Sequence, residues 1–122
     1  MANTFRVITH DVMPASAGTP EALYTCPADT TAVVLGLILT NVHTQQVTTG
    51  VVLSSDTATS VNSGAAEANT DVFLLKNVTL PEGSTLEILS GNKLALQTTD
   101  ILKIDCSIAD KVSVALTIME IT

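Results

Sequence analysis

A chain of 122 residues that is 46% apolar and only 14% charged has enough hydrophobic surface to fold and too little charge to stay disordered. Its formal net charge of −7 comes from twelve acids and five bases spread singly, so no basic patch awaits a nucleic-acid backbone. Phe5, Tyr24 and Phe73 are too few aromatics to stack bases or sugars.

The chain reads as short β-branched runs punctuated by Gly, Pro, Asp, Asn and Ser. Strands are expected at 5–11, 22–26, 31–42, 47–54, 72–79, 84–89, 93–97, 101–107 and 112–121. Between them stand the turn signals PASAGTP, PADT, HTQQ, PEG, SGN, TTD and ADK. No window of eleven or more residues sustains helical spacing outside the apolar runs. The expected fold is therefore all-β: one domain over residues 1–122, a β-sandwich of eight to nine strands, of jelly-roll or Greek-key type.

The first segment, MANTFRVITHDV, lacks the basic-then-apolar order of a secretion signal, so an unexported chain is expected. The third strand is unusual. Val33, Leu35, Leu37 and Leu39 fill one face, while Val34, Ile38 and Val42 occupy the other, with Gly36 between them. A strand apolar on both faces needs cover on both. In a two-layer sandwich that second cover comes from a long loop or another chain, so Val34, Gly36, Ile38 and Val42 are the expected oligomer interface. The densest apolar run, residues 32–39, is too short to cross a bilayer, and no membrane partner is expected.

Residues 54–71, SSDTATSVNSGAAEANTD, break the rhythm as a long polar loop, either exposed or ordered against a neighbouring subunit. Further on, LPEGSTLEIL at 80–89 echoes CPADTTAVVL at 26–35. In each, proline ends one strand, Asp29 or Gly83 makes the turn, and hydroxyls precede the next strand. The SGN signal after it predicts a hairpin through Gly91 and Asn92, with Leu86, Ile88, Leu94 and Leu96 facing inward. In the last strands Leu102, Ile104, Cys106 and Ile108 alternate onto one face, as do Val112, Val114, Leu116 and Ile118. Cys26 and Cys106 lack metal or redox spacing and read as reduced core residues.

Chemistry is sparse. The only histidines, His10 and His43, sit at a strand end and in a turn, and no nucleophile elbow accompanies them. No paired-cysteine, paired-histidine or EF-hand spacing exists for a metal, and the lone Asp residues of the polar loop read as solvated. No catalytic residue, cofactor, metal or small-molecule substrate is expected.

Three segments carry a resemblance: LYTCPADTTAVVLGLILTNV at 23–42, FLLKNVTLPEGSTLEILSGNKLALQTTDILKIDCS at 73–107 and VSVALTIMEI at 112–121. Their order and apolar positions resemble small virion structural proteins of tailed bacteriophages. The resemblance implies a non-enzymatic β-sandwich present in many copies on the virion. The favoured role is a capsid decoration or cement protein, a homo-oligomer, often a trimer, that binds the major capsid protein and stabilises the shell. The alternative is a neck, tail or fibre component.

Overall fold

The computed structural model describes residues 2–60, 66–89 and 93–122. Among these residues eleven strands run in chain order: β1 (Asn3–Met13), β2 (Glu21–Thr25), β3 (Thr31–Asn41), β4 (Val47–Ser54), β5 (Ala58–Ser60), β6 (Ala66–Ala68), β7 (Val72–Leu80), β8 (Thr85–Ile88), β9 (Leu94–Leu96), β10 (Ile101–Cys106) and β11 (Val112–Ile121). All nine expected strands are present, and the described residues contain no helix.

Two antiparallel sheets pack face to face. One has the order β1-β11-β3-β8, with β9 also on β3; the other has the order β2-β10-β4-β7. The chain crosses between the sheets at nearly every connection, and this strand order is that of a jelly roll. The jelly-roll form of the expected sandwich is thus the one adopted.

The core lies between the sheets and is built by alternation. Leu37 and Leu39 of β3 meet Val112, Val114, Leu116 and Ile118 of β11 across from Val47 and Val51 of β4 and Leu102 and Ile104 of β10, all essentially inaccessible to solvent. Each such Leu or Ile contributes about 1.5–3 kcal/mol by leaving water. Cys26 and Cys106 are both free and buried, as expected of small core residues. Burial pushes both thiols above their ordinary range. Ile108 leaves its expected stripe because β10 ends at Cys106, and it is part-exposed.

Two expected turn residues do what their positions require. Asp29 and Gly83 have φ of 55° and 69°, the left-handed conformation that lets each strand restart after its proline. Gly50 answers a different need. A Cβ there would lie 3.1 Å from the Leu75 carbonyl oxygen, where β7 bulges over β4 beside Asn77.

Three expectations change. First, the register of β3 on β11 shifts between Thr117 and Ile118, which pair with Gly36 and Val34 and leave Leu35 as an extra residue. This bulge reverses the alternation, so Val34 points into the core at 0% exposure and cannot belong to an outer interface.

Second, β8 and β9 do not form a hairpin. Both run antiparallel to β3, β8 against Leu37–Thr40 and β9 against Ala32–Val34, so they lie one after the other along the same edge of β3. Gly91 and Asn92 themselves lie outside the described residues. The inward placement of Leu86, Ile88, Leu94 and Leu96 holds, because these residues pair with Leu39, Leu37, Val34 and Ala32.

Third, the 54–71 segment is not all loop. β5 and β6 pair as an antiparallel ribbon, Ala58 with Ala68 and Ser60 with Ala66. Polar bonds anchor its root. The buried Asp100 carboxylate accepts from the Ser55 hydroxyl at 2.6 Å, the Thr57 hydroxyl at 3.1 Å and the Gln97 amide at 3.0 Å.

Candidate functional site

The outer face of the β1–β11–β3 sheet follows directly from the registers. Across it run three rows: Phe5–Met119–Val33–Ala95, then Val7–Thr117–Gly36, then Thr9–Ala115–Ile38–Glu87. Phe5 is 70% exposed, Val7 67% and Ile38 40%. The charged side chains of this face, Asp11 and Glu87, stand at its margin. At the third row and just beyond it lies a shallow trough of about 310 Å3, lined by Thr9, His10, Asp11, Ile38, Thr40, Ser113, Val114 and Ala115. The small side chains of β11 form its floor. The trough joins apolar Ile38 and Ala115 to a polar end at His10 and Asp11, and with the apolar row beside it the surface can bury area against a protein neighbour.

The expected interface residues divide on this frame. Ile38 lies on the face and lines the trough, and Gly36 lies beside Thr117 in the middle row. Val42 is 48% exposed but follows the end of β3, where its amide bonds the Lys111 carbonyl. Val34 is in the core. Sequence reasoning missed Phe5, Val7 and Met119. Their outward alternation was legible, but nothing in the sequence says that β1 and β3 flank β11 in one sheet.

A second cluster closes one end of the core. Glu120 continues the inward stripe of β11 and is 7% exposed. Its carboxylate accepts from the Tyr24 hydroxyl of the opposite sheet at 2.7 Å and from the Arg6 guanidinium of β1 at 3.1 Å. The Tyr24 hydrogen bond, helped by Arg6, holds the Glu120 carboxyl below the usual range despite burial. Burial first, then Glu120, pushes the Tyr24 hydroxyl well above its ordinary value. This cluster joins β1, β2 and β11 and is fully paired, so its chemistry is structural.

Elsewhere the reactive groups stay apart. His10 Nε2 lies 3.5 Å from a Glu21 carboxylate oxygen, and the His43 amide bonds the Asn41 side chain; neither imidazole bonds a Ser, Thr or Cys among the described residues. Among those residues no group of three or more His, Cys, Asp or Glu could hold a metal ion. A second hollow of about 360 Å3, lined by Asp29, Thr30, Thr31, Thr57, Gln97, Thr98 and Ile121, carries one acid and neutral polar groups.

No family model matches the chain, and no curated protein matches it. Among solved structures it is similar to a chain described with the disulfide-linked pili of Bacillus endospore appendages. The identity is 14%, over 99% of this chain and 87% of that one, with a TM-score of 0.46. A likeness that distant carries no argument about role.

Proposed function

We propose that this protein is a non-enzymatic structural subunit that assembles in many copies and buries the outer face of its β1–β11–β3 sheet against neighbouring subunits. One observation carries the reading. That face carries one wholly apolar row, Phe5–Met119–Val33–Ala95, and sets Val7 and Ile38 outward in the next two, with Phe5 and Val7 each more than half exposed, in a chain whose inner layer is already filled. A jelly roll by itself does not discriminate, because the same architecture serves capsids and lectins.

The finer reading is a capsid decoration protein of a tailed bacteriophage, working in the virion as a homo-oligomer on the major capsid protein. Its support is the resemblance of segments 23–42, 73–107 and 112–121, together with the acidic, aromatic-poor composition. The physical mechanism is added buried area at each junction, repeated over the shell so that small local gains sum.

Quantitative mass spectrometry of purified particles tests this. Hundreds of copies per particle, and loss of heat resistance in particles lacking the protein, are expected. About a dozen copies confined to one vertex would place it in the neck, tail or fibre instead. Absence from particles would overturn the virion reading altogether.

A further inference from the structure

Among the described residues the two sheets of the sandwich have four edges without a partner strand, and three of them are blunted. The edge beside β3 is made of two short strands, β8 of four residues with Glu87 in it and β9 of three residues next to Lys93. β2 has five residues, lies between Pro20 and Pro27, and bulges against β10. β7 shifts register twice against β4, carries Lys76 and turns Asn77 to a φ of 49°. Short strands, prolines, bulges and lysines are the devices that keep an edge from pairing with another chain.

β1 carries none of them along most of its length. It has eleven residues, keeps unbroken register with β11 from Asn3 to His10, and contains no proline or lysine. Its hydrogen-bonding parity is fixed. Ala2 and Thr122 exchange both backbone bonds, at 3.0 and 2.9 Å, so the even residues Thr4, Arg6, Ile8 and His10 bond β11 in the same way. The amides and carbonyls of Asn3, Phe5, Val7 and Thr9 therefore point away from the sheet, and none has a backbone partner among the described residues.

We infer that β1 pairs with β1 of a second copy, antiparallel about a two-fold axis at Val7, making one sheet across two molecules. The inference rests on the assembly reading above and adds to its face contact a second contact, along the sheet edge. Three centres along β1 can be compared. An axis at Arg6 sets two guanidinium groups opposite each other, and one at Ile8 sets Phe5 beside the partner's Asp11. An axis at Val7 avoids both, because it places Phe5 beside the partner's Thr9, Val7 beside the partner's Val7 and Arg6 beside the partner's Ile8. The free groups of Phe5, Val7 and Thr9 then meet free groups of the same parity. Phe5 and Val7 stay on one side, so the apolar outer faces of the two copies become continuous. The contact is isologous and closes at two, which replaces the trimer implied by the resemblance with a dimer or an assembly of dimers.

Disulfide trapping in the full chain tests the pairing. Val7→Cys should give a covalent dimer under mild oxidation, because opposed residues of a hydrogen-bonded pair lie about 5.5 Å apart at Cα, within disulfide range. Phe5→Cys should not, since the two copies of residue 5 would lie roughly 14 Å apart. Val7→Pro removes an amide that serves no bond within the subunit, so it should halve the sedimenting mass with an unchanged circular dichroism spectrum. Equal trapping at both positions, or an oligomer unchanged by Val7→Pro with no trapping at Val7, overturns the β1 pairing and leaves the assembly reading standing. A wild-type monomer whose attachment to particles is lost on Val7→Pro overturns self-pairing in favour of a strand from another protein. If Val7→Pro fails to fold, the contrast between the two cysteine variants still decides.

Discussion

The two outer faces of the sandwich share one core but answer to water differently. On the β2–β10–β4–β7 sheet, Lys103, Asp105, Thr48, Thr79 and Ser54 point outward, and Phe73 lies beneath the Lys76 ammonium at 5.0 Å from its ring centroid. On the β1–β11–β3 sheet the corresponding positions are Phe5, Val7, Met119, Val33 and Ile38, with charge only at the margin. The first face sets Val52, Phe73 and Ile101 among charged and hydroxyl side chains, while the second keeps its charge away from Phe5 and Val7, which is what the proposed assembling role requires. The contrast extends to the edges, where β7 shifts register twice and β1 keeps one register from Asn3 to His10.

Variants in each layer sharpen this contrast. The largest effect belongs to the layer between the faces. Leu116→Ala should cost about 2–5 kcal/mol of unfolding free energy, because Leu116 is fully buried opposite Leu37 and Ile8. Its neighbour Thr117 points outward, so Thr117→Ala should stay within about 0.5 kcal/mol in the same urea titration. A comparable loss at both positions would mean that the alternation of β11 is not as described.

The pH dependence ranks next. Glu120 has a lowered value in the folded chain, so its contribution is present above the ordinary carboxylate range and is lost as pH falls through the folded value. Tyr24 has a raised value, so its contribution is complete below about pH 10, the ordinary tyrosine value, and is lost as pH rises further. Tyr24→Phe should therefore lower stability by about 1 kcal/mol at neutral pH, and it should flatten both the acid and the alkaline limbs of a stability profile. Unchanged limbs would show that the cluster is not the titrating unit. The smallest effect is expected at Lys76→Ala. It uncovers Phe73 and should leave the urea midpoint unmoved while raising binding of a hydrophobic dye.

Much of the fold was legible because alternation and turn chemistry agree locally. Val112 to Ile118 could hardly be anything but a half-buried strand, and the Pro–turn–hydroxyl device set two strand starts. The failures have local causes as well. Val34 and Leu35 are both apolar, so nothing in the pattern announces a bulge between them. Nothing in the sequence around SGN says whether the flanking strands pair with each other or both with β3, and the registers on β3 decide it. β5 and β6 are built from Ala, Thr, Ser and Glu, which carry no apolar period to read. Glu120 was discoverable, since it stands in phase with Ile118, but an acid near a chain end ordinarily reads as solvated. The outward position of Ile38 was legible because the third strand is apolar on both faces, and it is 40% exposed. Phe5 and Val7 were not, because their significance depends on which strand becomes the edge.

Sedimentation of the wild type beside Ile38→Asp and Thr79→Asp tests the central claim most directly. Each variant adds one negative charge to an exposed strand position, on opposite faces of the sandwich. The wild type and Thr79→Asp should sediment as the same oligomer, while Ile38→Asp should shift to smaller species with its urea midpoint preserved. An Ile38→Asp chain that assembles as the wild type does, or a Thr79→Asp chain that falls apart, would contradict the assignment of the β1–β11–β3 face as the assembling surface.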